Sequence, residues 1–138
     1  MRGVGAAAKP SRGTASADHV GAAETARAFA GALLGGDVAA ATAYFAAEAR
    51  FLTADGTELN SRRSIAALLG QLTSTRDQLL EIRSGRTVVA DRVALCTQYW
   101  TRSSTSPDAE RFQAASSARL VLTREERRWQ ILIVAPWG

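Results

Sequence analysis

The chain is short of nearly everything that specialised chemistry needs. A single cysteine, Cys96, excludes an intramolecular disulfide framework and any multi-cysteine zinc site. A single histidine, His19, excludes multi-histidine zinc constellations and the facial iron triad. It also leaves no Ser-His-Asp arrangement, because it stands near the start of the sequence. No apolar run approaches the ~20 residues that a bilayer-spanning helix needs. There is no P-loop and no GxGxxG, so no nucleotide or dinucleotide site is indicated. Neither a metal nor a cofactor is expected.

What is present is an ordinary globular composition. The 138 residues are 46% hydrophobic and 22% charged, which fits one soluble domain. A chain of this length buries roughly two thirds of its unfolded surface without staples. The formal charge is +4, but no block of five or six like charges exists. The short clusters Arg62-Arg63 and Arg124–Arg128 are sparse, and Glu125-Glu126 interrupts the second. A phosphate-tracking surface needs a denser stripe with aromatics among the arginines, so nucleic acid is not an expected partner. Sixteen of the 17 basic residues are arginine, a bias of coding origin rather than of chemistry. The opening MRGVGAAAKPSRGTASAD has no apolar core of 7–15 residues and is not a secretory signal. Rich in Gly, Ala, Ser and Pro, it reads as a flexible tail over residues 1–18, ahead of a cytoplasmic domain over 19–138.

Asp18 is suited to cap a first helix, on which Val20, Ala23, Ala26, Phe29, Ala30, Leu33 and Leu34 recur at helical spacing. Gly35-Gly36 ends it, and Asp37 caps a second helix with Val38, Ala41, Tyr44 and Phe45 on its apolar face. Arg50–Thr53 is a short strand closed by the turn Ala54-Asp55-Gly56-Thr57. Asn60 or Ser61 caps a third helix with Ile65, Leu68, Leu69 and Leu72 inside. Four long strands follow: Leu79–Val89 with a bulge at Gly85, Val93–Thr101, Arg111–Thr123 and Arg128–Ala135. Residues 102–109 form a polar loop. Helices first and an antiparallel meander after it is an α+β pattern, with helices over one face of a curved sheet. The last strands are apolar on both faces, so the second face calls for cover, and a homodimer supplies it most simply.

Several stretches resemble the nuclear transport factor two-like superfamily, and within it the SnoaL-like polyketide cyclases and ketosteroid isomerases. They are Gly36-Asp37, the run Tyr44–Phe51, the turn Asp55-Gly56-Thr57, Arg62 with Ser64-Ile65, and Leu120-Val121-Leu122 before Arg128–Leu132. The resemblance spans about residues 20–138. It implies a cone-shaped antiparallel sheet wrapped around the N-terminal helices, a cystatin-like α+β barrel with an apolar pocket at its open end, and commonly a homodimer packed through the sheet. It is nearly silent about activity, so the site must be argued from residues.

By the same resemblance, the isomerase branch's proton-moving carboxylate falls at Thr53. Its helix-one tyrosine falls at Phe29 and its partner acid at Arg119. All three differ, so steroid isomerisation is not implied. Asp55, two residues beyond Thr53, is the candidate base, set against a turn residue bonding its own backbone. Arg119, in the strand interior, is the candidate oxyanion stabiliser if it faces the pocket, and a surface or ion-paired residue if it does not. Tyr99 and Trp100 alternate on a central strand, so one of them faces the pocket, as phenolic donor or aromatic wall. Asp55, Tyr99 and Arg119 form the catalytic candidates. Thr53, Phe29, Tyr44, Trp100, Gln113 and Trp137 form the substrate-binding ones, with Trp137 placed by resemblance. Cys96 reads as a buried small hydrophobe. Three readings follow: a cofactor-free cyclase, isomerase or dehydratase acting on an apolar carbonyl metabolite, a binding module for such a metabolite, and a structural dimer. Two or three convergent polar groups in an apolar cavity would mark the enzyme.

Overall fold

The computed structural model describes residues 8–74, 78–104 and 113–136. Three helices precede and interrupt a six-stranded sheet. The helices are α1 (Ala8–Leu34), α2 (Val38–Ala43) and α3 (Arg62–Ser74). The strands are β1 (Phe45–Leu52), β2 (Glu58–Leu59), β3 (Gln78–Ala90), β4 (Val93–Ser104), β5 (Gln113–Glu125) and β6 (Arg128–Ala135). The sheet order is β2-β1-β6-β5-β4-β3. The antiparallel meander from β3 to β6 is as the sequence indicates, and β1 then joins it parallel to β6. The sheet is curved but does not close, ending at β2 and β3.

α1 lays Ala22, Ala26, Phe29, Ala30 and Leu33 against the sheet. Small residues there let the helix approach closely. A Cβ on Gly21 would lie 3.0 Å from the Trp129 ring. The helix begins at Ala8, ten residues before the expected cap at Asp18. Asp18 has another use: its carboxylate accepts a hydrogen bond from Arg124 Nη1 at 3.0 Å, tying α1 to the end of β5. Asp37 does cap α2, accepting from the Ala40 N–H at 3.0 Å, and Ser61 accepts from the Ser64 N–H at the head of α3.

β1 starts at Phe45, five residues earlier than the sequence suggests. Its three alanines favour helix locally, but pairing with β6 and burial of Phe45, Ala49 and Phe51 decide for strand. The bulge falls in β3 where expected, as a register shift between Ser84 and Thr87. Gly85 is required there because a Cβ would meet Thr97 O and the Tyr99 ring at 2.8 Å. β4 continues to Ser104, three residues into the expected polar loop. The core lies between α1, α3 and the inner face of the sheet, around Phe29, Phe45, Trp100, Leu120 and Ile131.

Candidate functional site

The period of two along β4 fixes which side chains can reach the helices. Ala94, Cys96, Gln98 and Trp100 are buried on the inner face, whereas Val93, Leu95 and Tyr99 are exposed on the outer one. Tyr99 is opposite Ser117, and Arg119 is opposite Thr97, so both candidates stand on the outer face. Tyr99 is 42% exposed and carries the Arg83 guanidinium 5.7 Å from its ring centroid. Arg119 is exposed as well. The surface alternative, not the oxyanion role, describes Arg119's placement.

A cavity of about 590 Å³ opens where the ends of β1, β3 and β4 meet α3. Thr53, Ala54, Asp55 and Thr57 form one wall, Leu68, Gln71 and Leu72 another, and Gln78 with Arg102 the third. Thr53 and Asp55 thus line one cavity. The turn that carries them closes through Thr53 N–H to Thr57 O at 2.9 Å, with Gly56 at φ 86°. Arg102 arrives because β4 keeps its alternation past Trp100, which puts residue 102 on the inner face at the mouth.

Asp55 is unsuited to the role of base. The Thr53 hydroxyl and then Thr57, through side chain and backbone, donate to or hold its carboxylate and keep its pKa down at about 2. A general base works best with a pKa near the working pH, so this carboxylate is a fixed negative charge rather than a proton acceptor. The one histidine is elsewhere: His19 Nε2 donates to Thr87 O at 3.2 Å, on β3. Burial pushes the Cys96 thiol up, which keeps it protonated among the core residues, as a small hydrophobe.

The remaining candidates fall in the core or beyond view. Phe29 is fully buried and meets Phe45 edge-on, with centroids 5.4 Å apart and planes at 82°. Trp100 is fully buried, and its Nε1 donates to Gln98 Oε1 at 3.0 Å. Tyr44 is the residue after α2, half-buried against the core. The backbone of Gln113 pairs with Ser103, and its side chain, like all of Trp137, lies outside the described residues. Sequence reasoning missed Leu68 and Leu72 as cavity wall, having assigned them to core, and missed Gln71, Gln78 and Arg102 altogether.

This architecture, with its cavity at one end, has close structural counterparts. A domain with a cystatin-like fold from Nostoc punctiforme superimposes with a TM-score of 0.70 at 25% identity, covering 86% of this chain and 75% of its own. A ketosteroid isomerase-like protein from Erwinia carotovora atroseptica gives a TM-score of 0.70 at 13% identity, covering 86% and 93%. A candidate polyketide cyclase from Xanthomonas campestris gives 0.65 at 16%, covering 86% and 90%. No family model and no curated protein matches the sequence. The chain has a cystatin-like α+β fold. No helix among the described residues is long and apolar enough to cross a membrane.

Proposed function

We propose that the chain is a cofactor-free pocket protein of the cytoplasm that takes a small apolar metabolite bearing a carbonyl or carboxylate oxygen. The observation that carries this reading is one cavity that brings Leu68, Gln71 and Leu72 of α3 together with Gln78 and Arg102. Its volume, about 590 Å³, is that of a small-molecule site, and a few placed polar groups on apolar walls are what orient such a ligand. Arg102 supplies a guanidinium for the oxygen, and Asp55 lines the same cavity. The structural likeness to a ketosteroid isomerase-like protein and a candidate polyketide cyclase supports the same ligand class at the level of fold.

A cyclase, isomerase or dehydratase step on a polyketide-like compound is the catalytic form of this reading. The convergence of six polar side chains (Thr53, Asp55, Thr57, Gln71, Gln78 and Arg102) on one cavity favours it. With Asp55 held ionised, such a step relies on positioning and on Arg102 facing the developing oxyanion. The low basicity of Asp55 favours the second form, binding without turnover.

The test is ligand-dependent melting of the full chain with aromatic polyketide-like and steroid-like compounds. A ligand at a hundred times its dissociation constant adds about 2.7 kcal/mol, or roughly 5–10 °C for a chain of this size. Wild type and Arg119→Ala are expected to shift alike, and Arg102→Gln to lose most of the shift. A shift abolished by Arg119→Ala and kept by Arg102→Gln would move the site to the outer face.

The outer face supports a different contact, with a second copy of this chain. Val88, Val93, Leu95 and Tyr99 are between 39% and 48% exposed on the outer side of adjoining strands β3 and β4. Such a row is larger than the scattered apolar residues of a monomer surface. Sedimentation is expected to give the mass of a dimer for wild type and of a monomer for Leu95→Lys. A monomeric wild type at high concentration rejects the dimer without touching the cavity.

A further inference from the structure

The turn between β1 and β2 spends its hydrogen-bond donors on itself. The Thr53 N–H donates to Thr57 O at 2.9 Å, and the Gly56 N–H donates to Thr53 O at 3.0 Å. The Thr57 N–H lies 3.1 Å from both Thr53 Oγ1 and Asp55 Oδ1. The Thr53 hydroxyl has one hydrogen, and its acceptors are Asp55 Oδ1 and Thr57 O, both inside the turn. An ionised carboxylate is an acceptor only. The wall that this turn gives the cavity therefore offers acceptors, the Asp55 carboxylate first among them.

Charge points the same way. Glu58, just after the turn, is matched by Arg50 at 2.8 Å, and the other described ion pair is Arg124 with Asp18. Among the described residues, no cation is paired with Asp55. Its carboxyl, held at a pKa of about 2 by Thr53 and Thr57, is ionised at any ordinary pH. Arg102 brings the opposite character to the same cavity. A guanidinium has N–H donors in a planar fork, no acceptor, and a permanent charge. Leu68, Leu72 and Ala54 supply apolar lining. A ligand with only a carbonyl or carboxylate oxygen suits Arg102. It leaves Asp55 against apolar surface or a like charge, and both are unfavourable. A ligand that also carries a charged N–H donor meets both residues, through hydrogen bonds about twice as strong as neutral ones.

We infer that the ligand of this cavity is a zwitterion, with a protonated amine against Asp55, a carboxylate against Arg102, and an apolar part on Leu68 and Leu72. This rests on the proposed use of the cavity and narrows its ligand to amino-carboxylates with apolar side chains. The volume of about 590 Å³ is that of a drug-sized ligand, so a compound of dipeptide size fits better than a single amino acid.

The probes are phenylalanylleucine, its N-acetyl form, which lacks the positive charge, and its C-terminal amide, which lacks the negative one. Each is titrated calorimetrically into the full chain. Phenylalanylleucine is expected to bind about tenfold or more tighter than either blocked form, the ratio that one charged hydrogen bond implies. This comparison involves no variant, so it does not depend on how a variant folds. Asp55→Asn retains a side chain suited to the turn. It is expected to weaken phenylalanylleucine and the amide about tenfold and to leave the N-acetyl form as it was. Arg102→Gln is expected to erase the advantage of phenylalanylleucine over its amide. An N-acetyl form that binds as tightly as the free dipeptide overturns the zwitterion, and so does a preference for the amine that survives Asp55→Asn. If the three peptides fail while polyketide-like or steroid-like compounds bind in an Arg102-dependent manner, this inference falls and the cavity reading stands. If none of these compounds binds, both fall together.

Discussion

Gln98→Ala is expected to destabilise the fold by about 3–5 kcal/mol, the sum of a core cavity and the loss of buried hydrogen bonds. Gln98 is the buried polar side chain in an apolar interior, 1% exposed. Burying an amide is unfavourable unless both ends are engaged, and here both are. Its Nε2 donates to Ala26 O on α1 at 3.0 Å, and its Oε1 accepts from Trp100 Nε1 at 3.0 Å. One side chain thus ties α1 to β4 and fixes the indole that fills the middle of the core. Gln98→Met separates the two contributions. It keeps most of the volume and removes both hydrogen bonds, so its cost is expected near 1–3 kcal/mol. Urea unfolding of both variants reads the difference. A Gln98→Met variant as stable as wild type would mean that the bonds merely offset the desolvation of the amide.

How much of this was legible follows from where the physics is local. The alternation along β4 is local, and it separates Ala94, Cys96, Gln98 and Trp100 from Val93, Leu95, Thr97 and Tyr99 correctly from sequence. Which set faces the helices is not local. Both sets are largely apolar, and only the packing of α1 decides that Tyr99 looks outward. Arg119 inherits that outcome through its pairing with Thr97. The turn Asp55-Gly56-Thr57 was legible because Asp-Gly chemistry is intrinsic to the dipeptide, and Asp37 was legible as a cap for a similar reason. β2 was not. Two residues carry no periodicity, and Glu58–Leu59 is a strand only because Leu52 and Phe51 pair with it. The loss of Arg102 from the site has a narrower cause. Polar residues after Thr101 suggested a loop, so the alternation that puts Arg102 on the face of Trp100 was stopped one residue too soon. Counting on by two from Trp100 would have found it.

Phe29 separates the core from the cavity. Its position by resemblance, where the isomerase branch has a tyrosine, makes it a ligand-facing candidate, while the structure buries it completely against Phe45. Phe29→Ala is expected to cost about 3–5 kcal/mol, the range for removing a buried aromatic ring. That result alone does not distinguish the roles, because a ring on a cavity wall is also packed on its other side. Phe29→Tyr does. A hydroxyl added at a closed core position meets no water, and leaving it without a hydrogen-bond partner costs about 1–3 kcal/mol. At a cavity wall the same hydroxyl would be solvated, stability would be unchanged, and ligand affinity would move instead. The buried, edge-on geometry of Phe29 and Phe45 leads us to expect the first pattern: a lower urea midpoint with an unchanged m-value, and an unaltered ligand-induced melting shift once the lower baseline is taken into account. A Phe29→Tyr variant as stable as wild type but altered in binding would place the ring edge in the cavity and extend the candidate site inward along α1.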